Sequence, residues 1–169
     1  MTARALGIRA GLFLLLAGAA PSLAQTGTAA PVVAAAAVSL EGRVAHPEAF
    51  TAADLKALPP TTVEVTYLTE QGSQRATFTG ALLWTLLDEA GLVDEPGKRT
   101  RLQHTVLARG RDGYAVALAV GEIDPKFEGK QVIVAYAQDG KPMAGLRLVV
   151  PKDLHGGRYV RDLVSIEVR

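Results

Sequence analysis

Apolar and polar positions change period along this chain, and the changes mark its elements. From Val38 to Val44 (Val-Ser-Leu-Glu-Gly-Arg-Val) the two alternate as along a half-buried strand. His46-Pro47 ends the run, because proline offers no ladder donor. Thr51 opens a short predicted helix: its hydroxyl can accept from the amide three residues on, where Asp54 completes a capping box, and Pro59-Pro60 stops the helix at Leu58. Thr61 to Thr69 and Gln74 to Phe78 alternate again and are rich in β-branched residues, with Gln71-Gly72-Ser73 as the hairpin turn between them. The period then lengthens. Leu82, Leu83, Leu86 and Leu87 form one stripe on a helix closed by Gly91, the residue best suited to a left-handed C-terminal conformation. Asp94 to Arg101 reads as a charged loop. Further strands are predicted near Leu102 to Ala108, Tyr114 to Ala119, Val132 to Ala137, Leu146 to Val150 and Leu163 to Val168, with Asp139-Gly140 as a tight turn. There is no internal repeat. Many strands with two short helices set between them give an α+β fold with a strongly β core.

The start of the chain has a different character. Arg4 and Arg9 precede an apolar run from Gly11 to Ala20, and Ser22-Leu23-Ala24 supplies a small-x-small cleavage site, so residues 1–24 read as a signal peptide. Residues 25–37 are uncharged, without period, and read as a flexible tether; residues 38–169 form one domain. The expected location is periplasmic or secreted. After the leader no run of about 18 apolar residues follows, so the mature chain has no predicted membrane span. The leader carries two of the 18 basic residues and none of the 17 acidic ones, which leaves a nearly neutral chain with no electrostatic case for nucleic acid. With no cysteine there is no disulfide and no lipid attachment point.

Candidate chemistry gathers in the last third. Arg147, Lys152, His155, Arg158 and Arg161, joined by Arg109 and Arg111, are the residue types that hold an anion, and Gly156-Gly157 would let backbone approach it closely. The plainer alternative is solvated strand ends paired with Asp153 and Asp162. His46, His104 and His155 lack ligand spacing for zinc, and His104, inside an apolar strand, reads as a hydrogen-bonded structural histidine. Tyr114 is either a turn aromatic or a pocket hydroxyl. Trp84 sits one position off the apolar face of its helix, at the core edge. Ser73 lacks the strand–turn–helix setting of a nucleophile elbow, which disfavours a hydrolase.

Five segments in order resemble one known family. They are Phe50-Thr51…Asp54-Leu55…Leu58-Pro59, Thr79-Gly80-Ala81-Leu82-Leu83…Leu86-Leu87…Ala90-Gly91, Asp112-Gly113-Tyr114, Leu146-Arg147-Leu148-Val149-Val150-Pro151, and Gly157-Arg158-Tyr159-Val160-Arg161…Ile166-Glu167-Val168. Together they are similar to the sulfite oxidase-type molybdopterin-binding domain and cover nearly all of the chain after the leader. The resemblance implies that Tyr114 stands near the metal and that Arg158 and Arg161 approach the pterin phosphate. It also implies a cysteine ligand after the strand ending at Leu68, a position at or next to Thr69 here. This chain has no cysteine, and a soft molybdenum centre needs that thiolate as its protein ligand. Arg4 and Arg9 are separated, so the leader is not of the twin-arginine type that exports folded, cofactor-loaded proteins. Two functions follow. One is an exported accessory module without cofactor or redox chemistry that binds a small anionic ligand or a periplasmic partner protein, with Tyr114, His155, Arg158, Arg161 and Arg147 as its site. The alternative is a molybdopterin-dependent oxidoreductase with non-cysteine metal ligation.

Overall fold

The computed structural model describes residues 36–97 and 100–169. The leader over residues 1–24 and the tether up to residue 35 lie outside the described residues. Strand β1 (Ala37–Gly42) alternates buried Val38 and Leu40 with more exposed neighbours, as its sequence pattern predicts. It pairs antiparallel with a four-residue strand, β2 (Glu48–Thr51), which the sequence pattern does not reveal because it is too short for a period to show. Helix α1 (Ala52–Ala57) starts at the predicted capping box: the Thr51 hydroxyl accepts from the amides of Ala53 and Asp54, while the Asp54 carboxylate accepts from the Thr51 amide at 2.8 Å. Leu58 ends it in an extended conformation ahead of Pro59-Pro60.

The hairpin of β3 (Pro60–Thr69) and β4 (Gly72–Leu82) turns at Glu70-Gln71, one residue ahead of the predicted position, and Gly72 enters β4 at φ 102°. β4 runs on through Gly80 to Leu82, where helix α2 (Leu83–Ala90) begins; Leu83, Leu86, Leu87 and Ala90 are its buried stripe. Gly91 caps it at φ 70° with its amide on the Leu87 carbonyl at 3.1 Å. A 3₁₀ turn (Thr100–Gln103) replaces the start predicted for the next strand, and β5 (Thr105–Gly110), β6 (Ala115–Ala119), β7 (Ile133–Gln138), β8 (Lys141–Val149) and β9 (Leu163–Val168) follow. Between β6 and β7 lies a single helical turn, α3 (Val120–Ile123), again too short to be read from periodicity.

The strands make two sheets, one in the order β2-β1-β9-β5-β6 and one in the order β3-β4-β7-β8. Apart from the parallel neighbours β1 and β9, all pairings are antiparallel. Buried residues of both sheets and of α1 and α2 form one apolar cluster that includes Leu40, Leu55, Phe78, Leu86, Ile133 and Leu148. Residues 133–136 of β7 are buried on successive positions, the mark of a strand covered on both faces. This mostly β architecture with few short helices agrees with the predicted fold class. His104 is buried, with Nε2 2.9 Å from Asp94 Oδ1 and Nδ1 3.3 Å from the Arg169 carbonyl oxygen, the structural role expected of it.

Candidate anion-binding site

One end of β3, the end of β8 and the segment after it enclose a cavity of about 340 Å³. β3 contributes Tyr67, Leu68 and Thr69, β8 contributes Arg147, and the connection into β9 contributes His155, Gly156, Gly157, Tyr159 and Arg161, with Glu70 at the turn. Two backbone contacts hold these pieces together. The Leu68 amide donates to the Leu154 carbonyl at 2.9 Å, and the Leu148 amide donates to the Val160 carbonyl at 2.9 Å. The Tyr67 and Tyr159 rings pack with centroids 4.8 Å apart, tilted by 54°. Gly156 lies against Tyr67 so closely that a β-carbon there would stand 2.7 Å from its ring, which explains the glycine chemically.

The cavity is cationic and its donors are under-used. The Arg147 guanidinium lies over the Phe78 ring at 5.4 Å, and its Nη1 donates weakly to Gln138 Oε1 at 3.4 Å. Its buried Nε has no partner among the described residues. Burial, then the nearby Arg161 charge, push the Arg147 pKa down from the usual guanidinium value. Neither Arg147 nor Arg161 makes a salt bridge among the described residues. The Tyr159 hydroxyl is likewise buried and without a partner, and burial, ahead of the charge of Asp153, pushes its pKa up to about 12, so it remains a donor at neutral pH. Two buried donors, Arg147 Nε and the Tyr159 hydroxyl, thus lack an acceptor among the described residues, and their residues line the same cavity as Arg161.

Of the five sequence-predicted site residues, Arg147, His155 and Arg161 share this cavity and two do not. Arg158 turns away: it is bidentate to Asp153 at 2.6 and 2.7 Å and reaches Glu122 on α3 at 2.9 Å. Its pKa is raised, first by the hydrogen bonds to Asp153, which is the plainer salt-bridge reading realised. Tyr114 is half exposed and donates its hydroxyl to the Gly157 carbonyl at 2.5 Å, bracing the segment from outside. Lys152, Arg109 and Arg111 do not line the cavity either. Tyr67 and Tyr159 are site residues that the sequence pattern did not single out; Tyr159 stands inside the Gly-Arg-Tyr-Val-Arg segment, which was the available signal.

Thr69, where the resemblance calls for a thiolate, does line the cavity. Its hydroxyl donates to the Gly72 carbonyl at 3.0 Å and accepts from the Gln71 amide at 3.2 Å, so it serves the hairpin turn. His155 is the cavity's one imidazole, guanidinium groups do not ligate cations, and no three His, Cys, Asp or Glu side chains converge among the described residues. This donor set does not fit a molybdenum centre. It fits an oxyanion.

The family model for the oxidoreductase molybdopterin binding domain matches residues 28–169. Among solved structures, the sulfane dehydrogenase SoxCD from Paracoccus pantotrophus is similar, with a TM-score of 0.64 at 21% identity over 79% of this chain. That likeness supports a sulfite oxidase-like fold, and this chain spans 38% of the SoxCD chain. Among curated proteins no relative matches.

Proposed function

Because the chain belongs to the oxidoreductase molybdopterin-binding domain family, we propose that it is an exported member in which the domain has become a binding module for a small anion and carries no molybdenum redox chemistry. The observation behind this reading is that Arg147 and Arg161 line one cavity and that neither makes a salt bridge among the described residues. An oxyanion between the two guanidinium groups would receive charge-assisted hydrogen bonds from both. Glu70 also lines the cavity, and its charge opposes highly charged anions. Export rests on the leader pattern over residues 1–24.

A second reading, a molybdopterin-dependent oxidoreductase with non-cysteine ligation, draws on the family match alone. Metal analysis of protein purified from the exported fraction separates the two. Substoichiometric molybdenum together with a sulfate- or phosphate-dependent rise in Tm is expected; one molybdenum per chain would overturn the binding-module reading.

A further inference from the structure

We propose that the open edge of β3, away from the anion cavity, binds an extended acidic peptide segment of a partner protein as an added strand. β3 pairs with β4 and with no other strand of its sheet. Leu68 donates its amide away from β4, to Leu154, and forms an isolated parallel bridge with His155. Strand amides alternate sides with a period of two, so Thr66, Glu64 and Thr62 turn their backbone groups to that same side. Among the described residues none of these three amides has a backbone partner there. An edge of this kind is what strand addition uses, with main-chain hydrogen bonds giving affinity and flanking pockets giving selectivity.

The flanking pockets are present. Thr62, Val63 and Glu64 face Gly129, Gln131, Pro151 and Lys152 across a slot of about 390 Å³. Gly129 and Gln131 also line an adjoining, mainly apolar socket of about 180 Å³ with Leu82, Trp84, Ile123 and Pro125. The slot's other lining residues, Gly129, Gln131, Pro151 and Lys152, lie in loops and not in a strand, so the occupant we assign is a single extended peptide segment and not the sheet edge of another copy. Charge selects the peptide. Glu64 is paired with Arg75, and Lys130 with Glu122 and Glu128, whereas Lys152 has no carboxylate partner among the described residues. An Asp or Glu on the added strand would meet Lys152, and an apolar side chain would enter the Trp84 socket.

Trp84 is the chain's one tryptophan, so its emission reports the socket directly. The probe is a library of acetylated, amidated hexapeptides in which β-branched residues alternate with one acidic and one leucine position. Acidic members are expected to shift Trp84 emission saturably. N-methylation of alternate amides along one side of a binding peptide should weaken it about tenfold or more, while N-methylation of the other set leaves it unchanged. Lys152→Glu should weaken acidic members about tenfold and leave neutral ones unaffected. Sulfate and Arg161→Ala should change nothing, which separates this slot from the anion cavity. The proposal is overturned if no member shifts the emission, if both N-methylated sets bind alike, or if Lys152→Glu fails to discriminate.

Discussion

Single positions carry constraints that a lone sequence hides. Gly80 falls between the strand predicted to end at Phe78 and the helical stripe that begins at Leu82, yet it lies inside β4, at a register shift against β7. A β-carbon on it would stand 2.3 Å from the Val134 carbonyl oxygen and 2.6 Å from the Ala135 Cα, both backbone atoms that cannot swing aside. Gly80→Ala should therefore cost about 3 kcal/mol or more, the upper end of overpacking effects. Gly140→Ala is the control: at φ 74° with nothing within 4 Å, it meets only conformational strain, about 1 kcal/mol. Urea unfolding of the two variants tests the assignment, and equal losses would contradict it. Arg158 is constrained in a related way: pairing with nearby Asp153 was a visible alternative, but its second partner, Glu122, lies far away in sequence. Burial raises the Glu122 pKa, but hydrogen bonds from Arg158, the Ala119 amide and Lys130 outweigh it and hold the carboxyl below its usual 4.5. A lowered native pKa adds stability that is full above the unfolded value and fades as pH falls through the native one. Glu122→Gln should thus lose about 1 kcal/mol at pH 7, and the difference from the wild type should shrink only as pH falls through the lowered native pKa, as unfolding measured from neutral into acidic pH would show.

At the scale of elements, legibility follows length and local chemistry. The Thr51–Asp54 capping box, the Leu83–Ala90 helix with its Gly91 cap and the long alternating strand from Pro60 to Thr69 were all readable, because each is specified by residues within a few positions of one another. β2 and α3, of four residues each, exist through tertiary partners, β2 by pairing with β1 and α3 through the hydrogen bond between its Glu122 and Arg158. The extension of β4 through Gly80 was missed because its pairing with β7 overrides the apparent helix start. Leu86, fully buried on α2, tests the readable kind: Leu86→Ala should cost roughly 2–5 kcal/mol in urea or thermal unfolding. Thr51→Ala removes the α1 cap and should cost about 1 kcal/mol. A Leu86→Ala cost under about 0.5 kcal/mol would mean that the helix does not pack as described.

The site exists only at the scale of the whole molecule, since its residues come from the end of β3, from β8 and from the passage into β9, more than ninety positions apart in the chain between Tyr67 and Arg161. Residue type and the glycine pair made Arg147, His155 and Arg161 legible as candidates, and the fold brings them to one cavity; that Arg158 is held by both Asp153 and Glu122 emerges only in the folded state. That division makes the arginines experimentally separable. Arg158→Ala strands Asp153, only 14% exposed, and leaves Glu122 to Lys130 alone, and should lower stability by about 1–3 kcal/mol. The cavity lining survives that change, so a sulfate- or phosphate-dependent rise in Tm should persist in the Arg158→Ala protein. Arg161→Ala, by contrast, touches an exposed side chain without a salt bridge, and should leave the ligand-free Tm nearly unchanged while sharply reducing the anion response. Arg147→Met keeps the apolar stem over Phe78 but removes the charge, and combined with Arg161→Ala it should abolish the response altogether. Thermal unfolding of the four proteins over an anion titration measures both quantities at once. A response that vanished with Arg158 and survived the loss of Arg147 and Arg161 would move the anion to a different site.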